Sequence, residues 1–134
     1  MKDLLIVEDD PTLGEGIRLA LQAPELRPQL CRSLADAGEL LSRRSFDLLI
    51  LDLNLPGMDG LELCQRVRER YHDMSIILLT GYADFEYARR GIELQVTDYC
   101  LKPIDTEQLT ATLRRAVRQG YGRSSSRSDA LLDL

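Results

Sequence analysis

Phe46-Asp47-Leu48-Leu49-Ile50-Leu51-Asp52-Leu53-Asn54-Leu55-Pro56-Gly57-Met58-Asp59-Gly60 is the stretch that decides the fold. Leu48 to Leu51 is a short apolar run of the kind buried on both faces of a parallel sheet. It ends in a carboxylate, Asp52, after which Pro56 and Gly57 break the chain and helical spacing resumes at Asp59. Ligands of open α/β sheets sit beyond the carboxyl ends of the strands, which is where Asp52 stands. An Asp there is also an ordinary cap or turn former, and the stretch by itself leaves both roles open.

Two other runs repeat the pattern. Leu4-Leu5-Ile6-Val7 ends in Glu8-Asp9-Asp10, and Ile76-Ile77-Leu78-Leu79 ends in Thr80-Gly81. Weaker strands are expected from Pro28 to Cys31 and from Asp98 to Leu101, the second ending in Lys102-Pro103. Helical patterns separate the strands. Asp10 before Pro11 reads as an N-cap with proline in the first helical position. Leu13, Ile17, Ala20 and Leu21 then form an inward face, and the helix stops before Pro24. Ser33, with Asp36 three residues on, opens a helix that turns Leu34, Ala37, Leu40 and Leu41 inward. The helix from Asp59 to about Arg70 buries Leu63, Cys64 and Val67. The next, about Ala83 to Leu94, turns Phe85, Ala88 and Ile92 inward. Asp105 with Gln108 opens the last, with Leu109, Leu113, Ala116 and Val117 inward. Five strands alternating with five helices predict an α/β, doubly wound, five-stranded parallel sheet with right-handed crossovers.

The composition, 44% apolar and 29% charged over 134 residues, is that of a single globular domain with a real core. A formal net charge of −5 argues against nucleic acid as a partner of this domain. No apolar run approaches the roughly 18 residues of a membrane span, and Met1-Lys2-Asp3-Leu4 enters a strand directly, so a cytoplasmic domain is expected. Cys31, Cys64 and Cys100 have no ligand spacing and fit buried thiols in a reducing compartment. After Gln119 the composition shifts. Gly120 to Ser128 holds four serines and two glycines, so residues 1–119 are expected to form the domain and 120–134 a flexible linker or tail, which either leads to an absent output domain or ends the protein.

Laid on a parallel sheet, the first strand delivers Glu8 and Asp9 to one rim, the third Asp52, the fourth Thr80 and the fifth Lys102. Adjacent strands are about 4.8 Å apart, so these groups can share a site. Each carboxylate pair at about 5 Å costs roughly 3 kcal/mol at an effective dielectric near 20. A cation or a raised pKa relieves that repulsion. Hard oxygens without His or Cys nearby favour Mg²⁺. With a lysine and a hydroxyl beside them, they suit a phosphoryl group, and Asp52 is free to act as nucleophile.

Glu8-Asp9, the Asp52-to-Gly60 stretch, Thr80-Gly81 and Tyr99-Cys100-Leu101-Lys102-Pro103, in this order and spacing, resemble the receiver domain of bacterial two-component response regulators. The resemblance runs from about Lys2 to Gln119. It implies a flavodoxin-like fold similar to the chemotaxis receiver protein. It implies that Asp52 accepts a phosphoryl group from a sensor histidine kinase or phosphotransfer protein, with Lys102 contacting the phosphoryl oxygens. Mg²⁺ would be held by Asp9, Asp52 and the backbone carbonyl of Asn54, with Glu8 acting through a metal-bound water. Thr80 and Tyr99 match the family's switch pair, and Asn54 and Tyr82 border the path of the hydrolytic water. The Ala83–Leu94 helix, last strand and last helix form the surface expected to change on phosphorylation and to serve a homodimer. An output that regulates transcription is expected beyond this domain. The doublet is Glu-Asp rather than Asp-Asp, and Ile104 stands where the winged-helix regulator subfamily has Phe.

Two other classes share features of the site. A haloacid-dehalogenase-like, Mg²⁺-dependent phosphohydrolase would have a second Asp two residues after the nucleophile, where this chain has Asn54. A phosphorylation-independent interaction module would keep the fold and lose the chemistry, yet all five site residues are present.

Overall fold

The computed structural model describes residues 2–53, 60–81 and 98–116, except for the side chains of Asp98 and Tyr99. In chain order the elements are β1 (Lys2–Val7), α1 (Pro11–Ala20), β2 (Leu26–Cys31), α2 (Leu34–Arg43), β3 (Leu48–Asp52), α3 (Gly60–Arg70), β4 (Ser75–Thr80) and β5 (Asp98–Leu101). A last helix, α4, covers residues 106–116. The expected helix from Ala83 to Leu94 lies outside the described residues, as do Asn54, Tyr82, Val117 and the segment 120–134.

The strands form one parallel sheet in the order β2-β1-β3-β4-β5. This is the doubly wound arrangement that the alternating pattern requires. Both faces are covered. Leu5, Val7, Leu49, Leu51, Ile76 and Leu78 point to the face under α2 and α3, where Leu34, Ala37, Leu41, Leu61, Cys64 and Val67 meet them. Leu4, Ile6, Leu48, Ile50, Ile77 and Leu79 point the other way, against Ile17, Leu21, Leu109, Leu113 and Ala116 from α1 and α4. The three inner strands therefore read as unbroken apolar runs rather than alternating ones.

The helix starts follow their capping residues. Asp10 Oδ1 accepts from the Thr12 and Leu13 N–H groups at 2.9 and 3.3 Å, with Pro11 in the first turn. Ser33 Oγ accepts from Asp36 N at 3.0 Å. Asp105 Oδ1 accepts from Glu107 N at 2.9 Å and Gln108 N at 3.4 Å. Each cap satisfies donors that the first helical turn leaves without partners. Ala20 departs from expectation. It is exposed at the last position of α1, and Leu21, at the C-cap, takes the inward place. β2 begins at Leu26, two residues before the expected Pro28. It is an edge strand, where proline's missing donor costs no ladder bond. All three cysteines are buried free thiols. Burial, with Asp36 nearby, pushes the Cys31 thiol up to about 11, so it stays protonated.

Candidate functional site

The register of the sheet builds the site. Val7 pairs with Leu51, so the next residues on the two strands, Glu8 and Asp52, fall side by side at the carboxyl rim. Period-two alternation carries Leu4 and Ile6 on to Glu8, and Leu48 and Ile50 on to Asp52, so both acids leave the sheet toward the same face. Glu8 N is tied to Cys31 O at 3.1 Å, which extends β1 against β2 by one residue. On the other side, Leu53 N donates to Leu79 O at 3.0 Å and Lys102 N to Thr80 O at 2.8 Å, so β3, β4 and β5 are held together up to their last residues.

Glu8 and Asp52 are each only 1% exposed, whereas Asp9 is open to solvent. One carboxylate oxygen from each of Glu8, Asp9 and Asp52 lies within 4.8 Å of the others. Lys102 Nζ donates to Asp52 Oδ2 at 2.8 Å. Since β4 lies between β3 and β5, the two backbones stand two strand spacings, roughly 10 Å, apart, and the lysine stem and the Asp52 side chain reach toward each other across β4 to make this bond. Its stem can do so while the ammonium stays partly hydrated. The buried Asp52 charge thus has a direct counter-ion. Breaking such a pair by removing one partner leaves the other charge buried without compensation.

Glu8 is placed differently. Its Oε1 accepts from Asp10 N at 3.1 Å, while Oε2 is buried without a hydrogen-bond partner. Burial is the main force pushing the Glu8 carboxyl up to about 8, and interaction with the Asp52 carboxylate adds to it. The Asp10 N–H and the Lys102 charge oppose the rise without cancelling it. A buried oxygen with no donor, beside two other carboxylates, is the signature of a place for a proton or a cation. The donors are all hard oxygens, which suits Mg²⁺. The residues present fit that ion.

Thr80 ends β4 and is fully buried. Its hydroxyl donates to Gly81 O at 3.3 Å, a long local bond that a better acceptor could replace. The backbone of Tyr99 pairs with Leu78 in β5. The described structure therefore brings together Glu8, Asp9, Asp52 and Lys102, with Thr80 at the end of the strand between β3 and β5. Asn54 and Tyr82 lie outside the described residues. Sequence reasoning missed the role of Asp10, whose backbone N–H positions Glu8. The signal was present in Asp10-Pro11, because an N-cap fixes the backbone that immediately precedes a helix.

Residues 4–114 match the family model described as the response regulator receiver domain. The chain is 36% identical over 125 residues to the transcriptional regulatory protein AfsQ1 of Streptomyces coelicolor, covering 93% of this chain and 55% of that one. Among solved structures, it superposes on a putative response regulator from Chloroflexus aurantiacus with a TM-score of 0.79 at 31% identity, covering 87% of this chain and 98% of that one. A CheY-like receiver domain protein from Methanospirillum hungatei gives a TM-score of 0.85 at 22% identity, covering 92% and 98% of the two chains, and speaks for the fold alone. The chain spans about half the length of curated relatives such as AfsQ1.

Proposed function

Because this chain belongs to the response regulator receiver family, we propose that Asp52 is its phosphoacceptor and that the acid cluster holds Mg²⁺ while Asp52 is phosphorylated. The observation that carries this reading is the Lys102–Asp52 contact at 2.8 Å beside the Glu8–Asp9–Asp52 cluster. An Asp52 oxygen attacks the phosphorus of a phosphohistidine on a sensor kinase or phosphotransfer protein. The P–O bond forms as the P–N bond breaks, and the departing imidazole nitrogen takes a proton from solvent. Asp9, Asp52 and the Asn54 carbonyl are assigned as Mg²⁺ ligands, with Glu8 holding a metal-bound water. A Mg²⁺ held by these residues would offset the charge of the carboxylates and of the incoming phosphoryl oxygens.

Lys102 already rests on the carboxylate, so a small shift of its ammonium follows the new charge onto the phosphoryl oxygens. The Thr80 hydroxyl, which among the described residues donates to Gly81 O at 3.3 Å, turns to donate to the same group and draws the end of β4 with it. Tyr99 on the neighbouring strand responds. The surface built from 83–94, β5 and α4 then changes its population of states and serves a partner or a second copy. Asn54 and Tyr82 are assigned to the lifetime of the acyl phosphate, which the domain hydrolyses as its only turnover. Residues 1–119 are assigned to this receiver and 120–134 to a linker or tail. Since its relatives include a transcriptional regulatory protein, the output assigned to this receiver is transcription, in the cytoplasm. No helix among the described residues is long and apolar enough to cross a membrane.

Acetyl phosphate and Mg²⁺ test the chemistry directly. The wild-type protein should gain one labile phosphoryl group by intact mass, and Asp52→Asn should gain none while keeping its circular dichroism spectrum. Rapid multiple turnover would favour a phosphohydrolase, and no reaction at all an interaction module. A full mass gain in Asp52→Asn would remove Asp52 from its role.

A further inference from the structure

Three acids follow β1, and they do three different things. Glu8 is buried, Asp9 is exposed within the carboxylate cluster, and Asp10 does not belong to that cluster. The Asp10 carboxylate instead turns to α1. Its Oδ1 accepts from Thr12 N at 2.9 Å and Leu13 N at 3.3 Å, and its carbonyl accepts from Gly14 N at 2.8 Å. These bonds lock the Asp10 backbone in an extended conformation, φ −76° and ψ 113°. That conformation aims the Asp10 N–H at Glu8 Oε1, 3.1 Å away. The same bond leaves Oε2 as the free end of the carboxylate, buried and without a donor. Helix cap and carboxylate clamp are thus one turn of chain.

We propose that Asp10 is a positioning residue for the cation site: by capping α1 it fixes the backbone N–H that orients Glu8. The inference rests on the reading that Glu8 serves bound Mg²⁺. It gives the third acid of the run a function that its charge alone does not explain. Glu8 reaches the metal-bound water by a long and otherwise flexible stem, so an oriented carboxylate loses less freedom on binding than a free one. Partners that orient metal ligands commonly tune affinity by 10- to 100-fold. Here the orienting bond survives in part without the cap, so the effect should be smaller.

A titration of the unphosphorylated protein with MgCl₂ at constant ionic strength, followed by amide NMR shifts, separates geometry from charge. Asn is as good an N-cap as Asp, Ser nearly so, and Ala is poor. If Asp10 acts through the cap, Asp10→Asn and Asp10→Ser should bind Mg²⁺ within about twofold of wild type. Asp10→Ala should bind roughly 3- to 10-fold more weakly. If Asp10 contributes only its negative charge, Asn, Ser and Ala should all weaken binding equally, and that result overturns the proposal. Equal and unchanged affinity in all three also overturns it. Failure of the wild-type protein to bind Mg²⁺ would instead sink the cation reading on which the proposal rests. Should Asp10→Ala unfold, Asp10→Gly, which also lacks the capping oxygen but is tolerated at an N-cap, takes its place: weaker Mg²⁺ binding than in Asp10→Asn supports the cap, and equal binding overturns it.

Discussion

Glu8 should make the metal-free protein less stable as pH rises. In the folded chain its carboxyl is pushed up from 4.5 to about 8, chiefly by burial. In the unfolded chain it loses its proton near 4.5, so between these values the native state binds more protons than the unfolded state. Stability therefore falls as pH increases through this window. The contribution is fully present below about 4.5 and gone above about 8. Each unit of displacement is worth about 1.4 kcal/mol, so the ceiling is on the order of 5 kcal/mol. Relaxation of the site and entry of water reduce this to a few kcal/mol, still a large share of the roughly 5–15 kcal/mol that holds a domain together. Thermal unfolding followed by far-UV circular dichroism in EDTA should show Tm dropping by about 10 °C between pH 5 and pH 8.5 from this source. Glu8→Gln, which needs no proton, should flatten the profile. Saturating Mg²⁺ should flatten it in wild type, because the cation takes the place of the proton. The Cys31 thiol, held near 11, contributes nothing in this range. Parallel pH profiles for wild type and Glu8→Gln in EDTA would refute the reasoning.

Two further outcomes follow from the geometry of the rim. Lys102→Met removes the counter-ion of a buried carboxylate and should cost about 1–3 kcal/mol in urea unfolding, below the usual range for a fully buried pair because Lys102 is partly hydrated. It should also slow phosphorylation by acetyl phosphate by at least about 10-fold, as expected when a charge aimed at the reacting group is lost. Thr80→Ala should still be phosphorylated. In beryllofluoride NMR titrations, though, its shifts should stop near Asp52 rather than spread to Tyr99, and identical spreading in both proteins would take Thr80 out of the switch.

The central strands were legible because each is buried on both faces, and nothing but apolar side chains fits such positions from Leu48 to Leu51 or from Ile76 to Leu79. The edge strand β2 was faint for the opposite reason. Among the described residues its outer side meets no neighbouring strand, so Leu26–Cys31 mixes Arg27, Pro28 and Gln29 with apolar residues and shows no clear period. The candidate site was legible as a set of strand-end residues, since order along the sheet follows from the alternation. Its contacts were not. Placing Lys102 at the rim does not say that its ammonium rests on Asp52, because that depends on the reach of a flexible stem across β4. The doublet likewise hides which acid is buried. Glu8 goes inward because the β1–β2 ladder continues to its N–H, and Asp9 turns out because the chain must leave the sheet to reach the cap at Asp10.

The phosphoryl group should reside on Asp52 and on no other acid of the rim. Treatment with acetyl phosphate and Mg²⁺, followed by borohydride reduction of the acyl phosphate and peptide mapping by tandem mass spectrometry, should convert one residue to homoserine, at position 52. Homoserine at Asp9 or Asp59, or full modification without Mg²⁺, would contradict it.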